Sequence, residues 1–171
     1  MGSRYNKNYS SAPPQQYSGS GSSSGPYTLQ CDGASKGNPG RAGAGAVLRD
    51  PSGNVVFRTS QGLGNTTNNV AEYEALKLGM DQALKSGCTD IRVQTDSNLV
   101  SQQVQGSWKV RSDNLIPLNN EVQNMKNNFN SFDIQYVPRE MNYDADSLAN
   151  AGVNLPEGKI QTEYYGVGRR Y

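Results

Sequence analysis

The tetrapeptide Asp50-Pro51-Ser52-Gly53 is a hairpin signal, and it dictates how the first part of the chain folds. Before it, Ala42–Arg49 is small and apolar, a strand that admits close backbone approach. After it, Asn54–Gln61 reads as the partner strand. Upstream, Tyr27–Cys31 reads as a short strand opening onto Asp32-Gly33. The stretch Ala34–Arg41 holds Lys36, Gly37, Asn38, Pro39 and Gly40, which is turn chemistry. Three consecutive antiparallel strands are therefore expected.

Beyond Gln61 the pattern alternates between helix and strand. A polar loop, Gly62–Asn69, precedes a long helical pattern carrying Val70, Ala71, Ala75, Leu78 and Leu84, with Gly87 as its C-terminal stop. Asp90–Thr95 reads as a strand and Asn98–Val104 as a helix. Ser112–Phe129 carries Leu115, Leu118, Val122 and Met125 on one helical stripe. Phe132–Val137 is a further strand, and Asn142–Val153 a final helix. The order β-β-β-α-β-α-α-β-α predicts an α/β fold: a five-stranded mixed sheet, three strands antiparallel and then two parallel, flanked by helices.

Residues 1–26 hold Ser, Gly, Tyr, Asn and Pro with almost no aliphatic side chains. They cannot bury enough apolar surface to offset the entropy of ordering, which predicts a disordered tail. One domain is expected over residues 27–156, and a flexible C-terminal tail over 157–171. Charge is uneven. Residues 27–158 carry 11 basic and 14 acidic side chains, a net −3, while each end carries +2. An acidic core is odd for a nucleic-acid binder unless several acids hold cations, which reverse the local sign. The chain has no histidine and two cysteines, Cys31 and Cys88. That excludes a serine-protease-type triad and the usual zinc sites, and points to small buried thiols in a reducing compartment. No apolar run reaches membrane-spanning length.

Phosphodiester hydrolysis with two metal ions needs oxygen ligands around cations about 4 Å apart. Magnesium prefers carboxylate and phosphate oxygens. Strand ends and helix starts are rigid, accessible places for such ligands. Asp32 and Asp96 end expected strands, and Glu72 and Asp146 lie in the first turns of expected helices. Each has a plainer use. Asp32-Gly33 also reads as a turn, Asp96 as a helix N-cap, and Glu72 and Asp146 as solvated charges near helix N-termini. Residues i and i+2 lie on nearly opposite sides of a helix, so Glu72 cannot share a face with Glu74, nor Asp144 with Asp146. Spacing does not choose within either pair.

Four segments resemble the signatures of type 1 ribonuclease H: residues 31–40 (Cys-Asp-Gly-Ala-Ser-Lys-Gly-Asn-Pro-Gly), 66–72 (Thr-Thr-Asn-Asn-Val-Ala-Glu), 94–97 (Gln-Thr-Asp-Ser) and 145–150 (Ala-Asp-Ser-Leu-Ala-Asn). They occur in the family's order and spacing, and the resemblance covers residues 27–156. It implies the ribonuclease H-like fold. It also implies an endoribonuclease that hydrolyses the RNA strand of RNA–DNA hybrids with two Mg2+ ions, Mn2+ substituting, and leaves 5′-phosphate and 3′-hydroxyl ends. The family's catalytic metal ligands fall on Asp32, Glu72, Asp96 and Asp146, which leaves Glu74 and Asp144 as surface charges. The alternative is a non-catalytic hybrid-binding module on the same fold. Binding-only relatives commonly lose the four-acid set, which is complete here.

The family's minor-groove readers fall on Asn38, Asn68, Asn69 and Asn98. An amide both donates and accepts, which suits recognition of a 2′-hydroxyl; loop and cap asparagine is the plainer reading of each. Thr67 matches the position that grips a phosphate of the DNA strand, and Asn65 stands where some relatives carry a basic residue. Trp108, followed by Lys109 and Arg111, is a candidate to stack on and hold the DNA strand, with packing at the domain edge as the equal alternative.

The sequence departs from many family members in the loop before the last helix, where they carry a histidine. Here that stretch is Val-Pro-Arg-Glu-Met-Asn (residues 137–142), as in the compact plant and archaeal members, and Arg139 and Glu140 are the candidates to substitute. A long basic protrusion is also shortened, so modest, salt-sensitive affinity is expected. The expected partner is the hybrid substrate, with no membrane, no small-molecule cofactor and a monomeric state. The expected location is inside the cell, in the nucleus or cytoplasm, with an organelle as the alternative.

Overall fold

The computed structural model describes residues 25–166. The expected tail over 1–26 therefore lies, up to residue 24, outside the described residues, as do residues 167–171. The elements are β1 (Tyr27–Gly37), β2 (Gly40–Arg49), β3 (Val55–Thr66), α1 (Asn68–Lys85), β4 (Asp90–Thr95), α2 (Asn98–Gln105), α3 (Ile116–Lys126), β5 (Ser131–Tyr136), α4 (Tyr143–Val153) and β6 (Ile160–Tyr164). A single 3-10 turn, Arg139–Met141, precedes α4. The strands form one sheet in the order β5-β4-β1-β2-β3-β6. β1, β2 and β3 pair antiparallel, and β4 and β5 add in parallel.

The expected five strands become six. Ile160–Tyr164, within the segment read as a flexible tail, pairs antiparallel with β3 from Phe57↔Tyr164 to Gln61↔Ile160. Four of its five residues are exposed, so it carries no burial alternation for sequence to reveal. Backbone pairing holds it, with a Thr59–Thr162 hydroxyl bond of 2.8 Å and the Tyr164 ring edge-on to Phe57 at 6.3 Å.

The first strand also runs further than Cys31, reaching Gly37, so the turn shrinks to Asn38-Pro39. Likewise β3 absorbs most of the expected loop up to Thr66. Asp32 therefore lies within a strand, paired with Gly45, and not at a strand end.

Residues paired across antiparallel strands share a face, and neighbours along a strand alternate. A Cβ placed on Gly45 would lie 2.3 Å from Ala149 N of α4. One placed on Gly33 would lie 2.3 Å from Ala71 C of α1. Thus α1 and α4 cover opposite faces, each at a distance that only glycine allows. Asp32, partner of Gly45, is on the α4 side. The α1 side holds the main core: Leu29, Cys31, Ala46 and Leu48 from the sheet meet Tyr73, Leu76 and Met80 of α1, Val100 and Val104 of α2, and Val122 of α3. Both cysteines are free and buried. No described helix is long and apolar enough to cross a membrane.

Candidate active site

Three of the four candidate acids converge. Asp32 projects from the middle of β1 and is 1% exposed. Asp96 directly follows β4, whose last residue, Thr95, lies beside Cys31 in parallel register. Glu72 lies in the first turns of α1, where its Oε1 accepts a hydrogen bond from Gly33 N at 3.0 Å. One carboxylate oxygen from each of Asp32, Glu72 and Asp96 lies within 4.8 Å of the others.

Asp146 borders this trio from the first turn of α4. Arg139 links them: its Nε lies 3.5 Å from Asp96 Oδ2 and its other arm 3.6 Å from Asp146 Oδ1. The pairs that spacing left open separate in space. Glu74 faces Lys77 at 3.4 Å, and Asp144 is held by Arg49 and Arg58. The plainer reading of Asp96 as a helix cap gives way too. Ser97 is the cap of α2, its hydroxyl accepting from Val100 N at 3.2 Å.

Three carboxylates at this spacing cannot all hold their charge unaided. Burial, and then the charges of Glu72 and Asp96, push Asp32 up to about 10. Burial, and then Asp96, push Glu72 up to about 8, against the pull of the Gly33 N–H. The same field raises Arg139, chiefly through Asp96. Without a cation the cluster holds protons, and a bound cation would take their place. The donor set fits a hard divalent ion: it is all oxygen, and Asp32 Oδ1 is buried without a hydrogen-bond partner.

The candidate substrate contacts fall in three places. Asn38 Oδ1 accepts from Asn68 N at 3.0 Å, joining the β1–β2 turn to the start of α1. Thr67 caps α1, its hydroxyl accepting from Val70 N at 3.2 Å. Asn69 and Trp108 line one surface cavity of about 600 Å³, together with Lys109 and Arg111. Trp108 is 47% exposed. Asn98 is exposed at the first position of α2, its Oδ1 accepting from Gln102 Nε2 at 3.4 Å.

One residue of the site does not stand out in the sequence. Asn142, read there only as the start of the last helix, is buried against Cys31 O and Asp96. The one signal it offers is an asparagine four residues before Asp146, at a helix start.

Comparisons with known proteins bear on the fold and the family. A family model described as reverse transcriptase-like matches residues 30–152. A bifunctional protein of Mycobacterium tuberculosis is 43% identical over 123 residues, covering 71% of this chain and 34% of that protein. Ribonuclease HI of Halobacterium salinarum is 37% identical over 123 residues, covering 72% of this chain and 62% of that one. This chain thus spans about a third to three-fifths of the length of these relatives. The crystal structure of the Halobacterium RNase H1 superposes with a TM-score of 0.74 at 36% identity, covering 76% of this chain and 98% of that one. A ribonuclease H1 isolated from compost, solved in complex with an RNA/DNA hybrid, superposes with a TM-score of 0.72 at 34% identity, covering 75% and 96%.

Proposed function

Because the chain belongs to the type 1 ribonuclease H family, we propose that it is an endoribonuclease that hydrolyses the RNA strand of RNA–DNA hybrids and leaves 5′-phosphate and 3′-hydroxyl ends. One observation carries the reading: oxygens of Asp32, Glu72 and Asp96 gather within 4.8 Å, with Asp146 held beside them through Arg139. A relative in complex with a hybrid supports the choice of substrate.

In this reading Asp32, Glu72, Asp96 and Asp146 hold two divalent cations, Mg2+ or Mn2+. The ions supply Lewis-acid charge at the scissile phosphate and make water a stronger nucleophile at neutral pH. The chain's own residues do the rest. Gly33 N–H orients Glu72 through its Oε1. Asn38, Asn68, Asn69 and Asn98 read the minor groove, where an amide tells a 2′-hydroxyl from hydrogen. Thr67 holds a DNA-strand phosphate at the start of α1, where the positive end of the helix dipole favours an anion. Trp108, beside Lys109 and Arg111, stacks on and grips the DNA strand. Arg139, 66% exposed and already between two carboxylates, occupies the loop where other members carry histidine. The enzyme acts as a monomer.

The test is cleavage of a labelled RNA–DNA hybrid with magnesium, beside RNA–RNA and DNA–DNA duplexes. Cutting of the RNA strand in the hybrid alone is expected. Equal cutting of RNA in both RNA-containing duplexes removes the hybrid specificity. No cutting, with D96N binding the hybrid as well as the unaltered chain, replaces the enzyme with a binding module.

A further inference from the structure

Among the described residues, two buried side-chain oxygens have no hydrogen-bond partner: Asp32 Oδ1 and Asn142 Oδ1. Buried acceptors in folded proteins are nearly always paired, so an orphan asks which donor is missing. Both orphans belong to one group of side chains. Asn142 is 1% exposed at the start of α4, where its backbone carbonyl accepts from Asp146 N at 3.0 Å. Its Nδ2 donates to Cys31 O, the carbonyl just before Asp32, at 3.0 Å, and faces Asp96 Oδ1 at 3.5 Å. One residue therefore touches the strand carrying Asp32, the carboxylate of Asp96 and the helix carrying Asp146.

The orientation of this amide is set by its neighbours. Turned over, its oxygen would face Cys31 O and Asp96 Oδ1, two acceptors. Oδ1 therefore points away from them, and none of the described residues donates to it. Once a cation has displaced the protons of the cluster, its carboxylates are ionised and can only accept. The neighbouring cation, Arg139, is engaged by Asp96 and Asp146.

We infer that Asn142 is a positioning residue for the cation site: Nδ2 fixes Asp96 against β1, and Oδ1 accepts a hydrogen bond from a water carried by the bound cation. This rests on the metal reading above. A charged Asp32 Oδ1 suits direct contact with the ion. A neutral amide oxygen suits its hydration shell, since Mg2+ keeps several waters when bound to protein.

The experiment is thermal unfolding of the full chain across a Mg2+ titration at pH 8, with no substrate. N142L keeps the size and loses both polar atoms. N142D keeps an acceptor and loses the donor. N142L is expected to need roughly 10–100-fold more Mg2+ for half of its Tm rise, the usual effect of losing a partner around a metal's ligands. N142D is expected to have a lower metal-free Tm, because it adds a carboxylate to the cluster, yet to need severalfold less Mg2+ than the unaltered chain. A residue that only anchors α4 would lower Tm in both variants and leave the half-saturating Mg2+ unchanged, and that result overturns the inference. Should N142L fail to fold, N142D decides alone: unchanged or weaker Mg2+ response overturns it. An unaltered chain with no Mg2+ response removes the metal reading itself and takes this inference with it.

Discussion

Gly33 N donates to Glu72 Oε1 at 3.0 Å, and no side chain fits between the two segments: a Cβ on Gly33 would lie 2.5 Å from Glu72 N. The strand that carries Asp32 thus sets the position of Glu72 by direct contact with the backbone of α1.

G33A is therefore expected to push α1 outward. Overpacking of this kind costs about 1–3 kcal/mol. Displacing a catalytic group by about 1 Å can cost on the order of 100-fold in rate. The check is kcat on a hybrid beside Tm in metal-free buffer. Full kcat in a stably folded G33A would show that Glu72 needs no such placement.

D32N should separate stability from function. Asp32 is buried among acids and pushed up to about 10, so folding at neutral pH makes it take up a proton, which costs stability. A neutral amide of the same shape removes that cost. The metal-free Tm is expected to rise by roughly 3–10 °C, while hydrolysis and the Mg2+-induced Tm rise are both lost. A D32N protein less stable than the unaltered chain would contradict the electrostatic account.

The same shifts fix the pH dependence of the metal-free protein. An acid whose folded value is raised binds its proton more tightly when folded. Its contribution to stability is complete below its unfolded value, 3.8 for Asp32 and 4.5 for Glu72, and is lost as pH rises towards about 10 and about 8. Chelated protein should therefore lose Tm between pH 5 and pH 9. Mg2+ competes with those protons, so the Tm rise at fixed Mg2+ should grow over the same range. Unfolding scans with EDTA and with Mg2+ at each pH check both slopes.

Y164A tests the unexpected strand. It removes the edge-on contact with Phe57 and the hydrogen bond to Gln82 Oε1 at 3.0 Å. Together these are worth about 1–3 kcal/mol. Tm should fall with kcat unchanged, because β6 lies at the sheet edge beyond β3, away from the carboxylates.

Legibility in the sequence tracks burial. Helix α1 and the Asp50–Gly53 hairpin are readable because apolar spacing and turn residues coincide there. Strand β6 is not, because backbone pairing holds an exposed strand and leaves no side-chain pattern. The end of β1 is hidden because Gly37, Pro39 and Gly40 speak for a turn, while the ladder continues to Gly37↔Gly40. Spacing alone cannot prefer Glu72 to Glu74. In three dimensions Gly33 receives one and Lys77 the other. Asn142 stays hidden because its importance is a matter of what it touches 111 residues away.

Asp32 sits within a strand that pairs on one side with β2 and on the other with β4. Asp32, in the middle of such a strand, is not released by fraying of a chain end. The amides around Asp32 should therefore be among the slowest to exchange with deuterium, at the rate of whole-molecule unfolding. An ion bound there would slow that exchange across the entire sheet and not only beside the cluster, so that occupancy of the site governs how long the whole chain survives a protease.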